Sequence, residues 1–311
     1  MLPFKLIYHD RYDLNLGAHV FPSQKYRLIH DRLLAENFAQ PEDFIAPQPA
    51  SDQDILRVHD RGWVQRLKMG TLSAAEIAKL EIPFSDEMVE GVWLATGGTI
   101  LGARNALRDR IGFNIGGGFH HAFRAHGEGF CAINDVAVAI RALQHDGSIQ
   151  RALVVDLDVH HGNGTAAIFS GDASVLTLSL HQFNNYPAEK PPSVIDVHLR
   201  DRVGDAEYLA RLRESLTVAL SFSPDMIFYL AGADPFEEDQ LGGLSLTING
   251  LKQRDNLVFE TAVNQNVPVA VVLAGGYARN TEDTVTIHCN TAQAALTVVS
   301  NLAQTQPPIS G

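Results

Sequence analysis

Short apolar runs alternate along this chain with longer segments of helical period. Seven runs have the length and content of buried strands: Lys5–His9, Gly112–Ile115, Ala152–Asp156, Val175–Leu180, Ile195–Leu199, Met226–Leu230 and Val269–Leu273. The last begins directly after Pro268, which has no N–H to give to a ladder from a strand interior. Between the runs the pattern predicts helices near 22–38, 86–108, 134–145, 206–221, 247–264 and 281–302. Ser85 ahead of Asp86, and Asn134 ahead of Asp135 and an apolar run, are side chains that cap helix N-termini. Such alternation implies an α/β fold, a mostly parallel β-sheet flanked by helices. No linker, repeat or low-complexity segment divides residues 1–311, so a single domain is expected. The Pro-containing stretches 41–49 and 187–192 read as short loops, and 304–311 as a frayed tail.

The polar residues cluster at one end of these strands. In open parallel sheets ligands bind beyond the carboxyl ends of the strands, and five of the runs are followed there by chemistry. Gly116-Gly117-Gly118-Phe119-His120-His121 follows the second run, Asp156 to Gly164 the third and His181 the fourth. Gly232-Ala233-Asp234 follows the sixth and Gly275-Gly276-Tyr277 the seventh. The stretch from Asp156 is the richest, with Asp156, Asp158, His160 and His161 in six residues. In an extended chain the first three project to one side. Carboxylates and an imidazole gathered at a strand end are costly to desolvate unless a cation or hydrogen bonds compensate. Oxygen and nitrogen donors at this spacing suit Zn²⁺ or another divalent transition metal. Singly, each motif has an ordinary reading: a solvated turn, surface histidines, a capping aspartate, a packed tyrosine. One active site accounts for all of them together.

Composition narrows the function classes. The net charge is −12, from 24 basic and 36 acidic residues, with no clustered Lys/Arg stripe. That argues against a nucleic-acid surface and leaves room for basic peptides or amines as partners. Two cysteines, Cys131 and Cys289, are too few for a disulfide framework and lack zinc-finger spacing. The opening residues lack the apolar core of a secretion signal and no apolar stretch reaches spanning length. No membrane span and a cytoplasmic location are therefore expected.

Gly116–His121, Gly129-Phe130-Cys131, Asn134-Asp135, Asp156–Gly164, Gly232-Ala233-Asp234 and Gly275-Gly276-Tyr277 occur in this order. Together, from Tyr8 to about Leu296, they resemble the zinc-dependent histone deacetylase family. The resemblance implies the three-layer fold shared with arginases and acetylpolyamine amidohydrolases, with the active site at the C-terminal strand ends. Thr96-Gly97-Gly98-Thr99, His181 with Tyr186-Pro187, and Leu241-Gly242-Gly243-Leu244-Ser245 are most similar to the class IV branch.

For the site, the resemblance implies one catalytic Zn²⁺ held by Asp158, His160 and Asp234, with open positions for a water and a substrate carbonyl. It implies that Tyr277 hydrogen-bonds the developing oxyanion. It pairs His120 with Asp156 and His121 with Asn163, where many members have aspartate. A carboxylate partner favours the imidazolium form and an amide does not. His121 is therefore the expected general base, then acid, and His120 an electrostatic stabiliser. Gly129, Phe130, Tyr186 and Leu241 would line a channel for the acyl-lysine stem. Asp156, Asp158, His160, Ser179 and Leu180 match a structural monovalent-cation site, usually K⁺.

The expected reaction is removal of acetyl or longer acyl groups from lysine ε-amines of proteins or peptides. Glycines at 116–118 and 242–243 would leave room for a long acyl chain. The alternative is an acylated polyamine substrate, for which Glu237, Glu238 and Asp239 would supply an acidic mouth. An arginase-like two-manganese centre needs more carboxylates than stand beside Asp158 and His160. A non-catalytic acyl-lysine-binding scaffold is disfavoured by retention of both histidines, the three ligands and Tyr277.

Overall fold

In a computed structural model, residues 1–305 are described. The tail expected over 304–311 lies outside the described residues except for its first two positions, which continue the last helix.

Eight strands form one sheet: β1 Leu6–Ile7, β2 Phe44–Ile45, β3 Ile111–Asn114, β4 Ala152–Asp156, β5 Val175–Gln182, β6 Ile195–Leu199, β7 Met226–Leu230 and β8 Val269–Val272. Their order in space is β2-β1-β3-β8-β7-β4-β5-β6, and every pairing is parallel. The central strands β3, β4, β7 and β8 are buried at every position. They read as unbroken apolar runs because a parallel sheet covered on both faces leaves no side for polar residues.

Ten helices complete the described chain: α1 Lys25–Ala35, α2 Asp52–Ile55, α3 Arg61–Met69, α4 Ala74–Leu80, α5 Asp86–Asp109, α6 Asp135–His145, α7 Asn163–Ile168, α8 Asp205–Leu220, α9 Ile248–Asn264 and α10 Thr281–Thr305. Helix α5 packs on α6 and against β3 and β8, whereas α10 packs on α9 and α1, and α8 on α9. The sheet thus forms the middle of three layers. Ser85 caps α5 through the Met88 N–H at 3.0 Å and Asn134 caps α6 through the Ala137 N–H at 2.9 Å, as their positions predict.

Two expectations change. The loop expected at 41–49 contains the edge strand β2, whose two residues are too few to show a period. The first strand is two residues long rather than the five of Lys5–His9, because the chain leaves the sheet at Tyr8 and enters a short 3-10 turn at Asp10–Tyr12.

Candidate active site

Strands β3, β8, β7 and β4 are neighbours, and their C-terminal loops meet. These loops carry Gly116–His121, Gly275–Tyr277, Gly232–Asp234 and Asp156–Gly164 respectively. The glycine loop after β3 is pinned by Asp135, the first residue of α6. Its buried carboxylate accepts from the N–H groups of Gly118 (3.0 Å) and Phe119 (2.8 Å) and from the Thr99 hydroxyl (2.6 Å).

Asp158, His160 and Asp234 are buried and present donor atoms within 4.8 Å of one another. His160 Nδ1 lies 2.9 Å from Asp158 Oδ1 and 3.4 Å from Asp234 Oδ2. The backbone orients both carboxylates: Gly275 N–H donates to Asp158 Oδ2 at 2.9 Å, and Val159 N–H to Asp234 Oδ1 at 2.8 Å. A Cβ at position 275 would overlap both Asp234 Oδ2 and Asp158 Oδ2, so only glycine lets that strand end approach. Asp234 Oδ2 is buried with no hydrogen-bond partner. Burial and the adjacent Asp158 charge push the Asp234 carboxyl up to about 7. Burial works against charge on His160 too, but its bond to Asp158 and the nearby Asp234 carboxylate outweigh this and raise it to about 10. Two carboxylates, one of them with an orphaned buried oxygen, and one imidazole are a donor set that fits zinc with positions to spare.

The tandem histidines lie beside this cluster and differ in charge. His120 Nδ1 donates to Asp156 Oδ2 at 2.7 Å; His121 Nδ1 donates to Asn163 Oδ1 at 2.7 Å; the two Nε2 atoms are 3.1 Å apart. Burial opposes charge on His120, but Asp156 and Asp158 outweigh it and raise the imidazole to about 9. Burial and the charges of His120 and His160 push His121 well below the ordinary imidazole range.

Tyr277 sits across the site, its ring centroid 6.3 Å from that of His160. Burial and then the charges of Asp158 and Asp234 raise its hydroxyl well above the usual phenol range, so it remains a donor. A cavity of about 170 Å³ leads to this point, lined by Gly129, Phe130, Tyr186, Leu241 and Tyr277, with His121 and His160 at its floor. Phe130 adopts a left-handed backbone, φ 69°, uncommon for a large side chain. Ser179 and Leu180 are buried in β5, with Ser179 in register with Asp156 of β4. They therefore adjoin the residues with which the resemblance groups them for a monovalent cation.

Some expected features fall elsewhere. Asp239 is turned inward, accepting from the N–H groups of Tyr277 (2.7 Å), Leu241 and Gly242 (both 2.8 Å). Only Glu237 and Glu238 of the expected acidic mouth are exposed. The glycines at 118 and 242 permit close backbone approach: a Cβ on Gly118 would come 2.7 Å from Ala274, and one on Gly242 would overlap the Asp234 carbonyl. Gly117 and Gly118 also line a small cavity with His120, Asp158 and Tyr277. His181 bonds Ser179 and His198, both at 2.9 Å, and forms with His161 and Asp196 a separate group whose donors lie within 4.8 Å of one another. His161 thus points away from Asp158, although residues 158–160 form a bend and not an extended strand.

Three residues support the site in ways that sequence reasoning missed. Lys25 is fully buried and donates from Nζ to the Ala274 carbonyl at 2.8 Å; burial lowers its ammonium to about 8. Asp239 holds the backbone of Tyr277. Glu128 accepts from Asn163 Nδ2 at 2.6 Å and from the Tyr186 hydroxyl at 3.0 Å, and its other oxygen lies 2.9 Å from Lys79 Nζ. Its place just before Gly129-Phe130-Cys131 was the only signal available.

Comparison with known proteins points the same way. Residues 19–292 match the model of the histone deacetylase domain. An uncharacterized protein of Picosynechococcus sp. is 40% identical over 294 residues, 94% of this chain and 98% of that one. Histone deacetylase 2 of Arabidopsis thaliana is 32% identical over 290 residues, 88% of this chain and 75% of its own. Among solved structures, the HD domain of HDA15 superposes with TM-score 0.78 at 25% identity, covering 97% of this chain and 95% of that one.

Proposed function

The chain belongs to the histone deacetylase family, and on that premise we propose that it is a zinc-dependent hydrolase that removes acetyl or longer acyl groups from lysine ε-amines of proteins or peptides. The observation that carries this reading is a cavity lined by His160, His121 and Tyr277, with Asp158 and Asp234 gathered around that same His160. In this reading Asp158, His160 and Asp234 hold the metal. Zinc, when bound, supplies a Lewis acid for the amide carbonyl and acidifies a water.

The chain's own groups do the rest. His121 is neutral at physiological pH, and with Nδ1–H committed to Asn163 its Nε2, 3.1 Å from His120 Nε2, is the atom that takes the water's proton in place of that contact. The same atom then returns the proton to the departing lysine amine. His120, charged beside Asp156, offsets negative charge as it develops. The Tyr277 hydroxyl donates to the carbonyl oxygen as that oxygen becomes anionic. Phe130 and Tyr186 enclose the apolar methylene stem, and Leu241 the rim. A structural K⁺ on Asp156, Asp158, His160, Ser179 and Leu180, kinship with class IV, and a cytoplasmic setting belong to the same proposal.

The test is turnover of acetyl-, octanoyl- and myristoyl-lysine peptides and of acetylpolyamines by zinc-loaded protein. Peptide turnover is expected. Tyr277→Phe should lower kcat by about 10²–10³ with KM little changed. Turnover of acetylpolyamines alone would move the assignment to small-molecule amides. Peptide binding without turnover would reduce the protein to a binding module.

A further inference from the structure

Asn163 is a neutral amide, and an amide has two different ends. Which end faces His121 decides which imidazole nitrogen carries the proton. If the oxygen faces Nδ1, Nδ1 is protonated and Nε2 is left with its lone pair toward the reaction. If the NH₂ faces Nδ1, the lone pair is spent on Asn163 and Nε2 carries hydrogen. Within the loop the Gly164 N–H, 3.0 Å from Asn163 Oδ1, favours the first arrangement but gives the amide hydrogens no partner.

We propose that Glu128 is the positioning residue that makes this choice, and through it sets the tautomer of His121. Its Oε1 lies 2.6 Å from Asn163 Nδ2, and an ionised carboxylate can only accept. The amide hydrogens must therefore face Glu128, and the Asn163 oxygen must face His121 Nδ1, at 2.7 Å. The carboxylate is held ionised by its surroundings: Lys79 Nζ at 2.9 Å on Oε2, and the Tyr186 hydroxyl at 3.0 Å on Oε1. Glu128 is buried and touches none of the three proposed metal-holding side chains. The relay Lys79–Glu128–Asn163–His121 runs from the surface to the base. It also joins the base to Tyr186 of the channel wall. The inference rests on His121 acting as base in the proposed reaction.

A pair of substitutions tests it, because the roles of positions 128 and 163 can be exchanged. In Glu128→Gln, Lys79 draws the new carbonyl oxygen and turns the NH₂ toward Asn163, whose amide is then driven to reverse against the Gly164 N–H. In Asn163→Asp, two carboxylates meet at hydrogen-bond distance and must share a proton. In the double variant, the amide introduced at position 128 donates to the carboxylate introduced at position 163, which again presents oxygen to His121. Each single variant should lose kcat by at least about tenfold, with KM for an acyl-lysine peptide unchanged within about threefold and thermal midpoints close to wild type. The double variant should recover to within a few-fold of wild type. A separate readout is the histidine ¹⁵N spectrum of metal-free protein, with His121 assigned by His121→Ala. It should change from the Nδ1–H form in wild type to the Nε2–H form in Glu128→Gln.

A Glu128→Gln variant that keeps wild-type kcat and the Nδ1–H form overturns the proposal. So does a folded double variant no better than the worse single one. A wild-type protein with no turnover of any acylated amine sinks the deacylase reading instead, and the ¹⁵N spectra still decide the role of Glu128.

Discussion

His120 and His121 are adjacent in sequence yet differ in charge, and the difference lies in their surroundings. Asp156 holds His120 as a cation up to about 9 despite burial. His121, buried between charged neighbours and bonded to an amide, is kept neutral well below the ordinary imidazole range. The active form therefore needs His120 protonated and His121 unprotonated. As pH rises through about 9 the His120 proton is lost, so kcat/KM should fall on an alkaline limb near that value. The acid limb should lie below the usual histidine range. Replacing His120 with alanine should remove the alkaline limb while leaving measurable turnover; the same change at His121 should abolish turnover at every pH. A His120→Ala profile that retains the limb would reassign it to another group.

Among the elements, α6 does more than cover the sheet. Its first residue, Asp135, is the acceptor for two buried backbone N–H groups of the loop that carries His120 and His121. Asp135→Ala leaves both without a partner, so urea unfolding should show a loss of about 2–4 kcal/mol. Such elements were legible in the sequence wherever burial imposed a pattern. The unbroken apolar runs of β4 and β7 and the caps at Ser85 and Asn134 are where the sequence indicates. The short β2, α3, α4 and α7 were not seen, since two to nine residues give too little period to separate from a loop. The chemistry-bearing loops were legible because aspartate and histidine at buried strand ends are costly without a purpose. The parts played by Glu128, Asp239 and Lys25 were not, because their partners lie far off in sequence: 35 positions from Glu128 to Asn163, 38 from Asp239 to Tyr277 and 249 from Lys25 to Ala274. Only packing brings them together.

At the scale of the whole molecule, the metal-free protein stores protons where the ion is proposed to sit. His160 is held protonated up to about 10, and Asp234 is raised to about 7. Zinc needs both unprotonated, so its uptake at neutral pH should release at least about one proton, and affinity should rise about tenfold per pH unit. Calorimetry in two buffers of different ionisation enthalpy measures the number; zero release would contradict the charge state described here. The strand order β3-β8-β7-β4 has its own bearing on when the ion can arrive. Val159, next to two donors, is bonded to an Asp234 that lies 75 positions later, and Asp158 to a Gly275 that lies 117 positions later. On a growing polypeptide the first two donors emerge long before the third, and before the strand that aims them. On the proposed metal assignment, a nascent chain would be a poor scavenger of zinc until β7 and β8 have slotted between β3 and β4, and loading would come as the closing step of biogenesis.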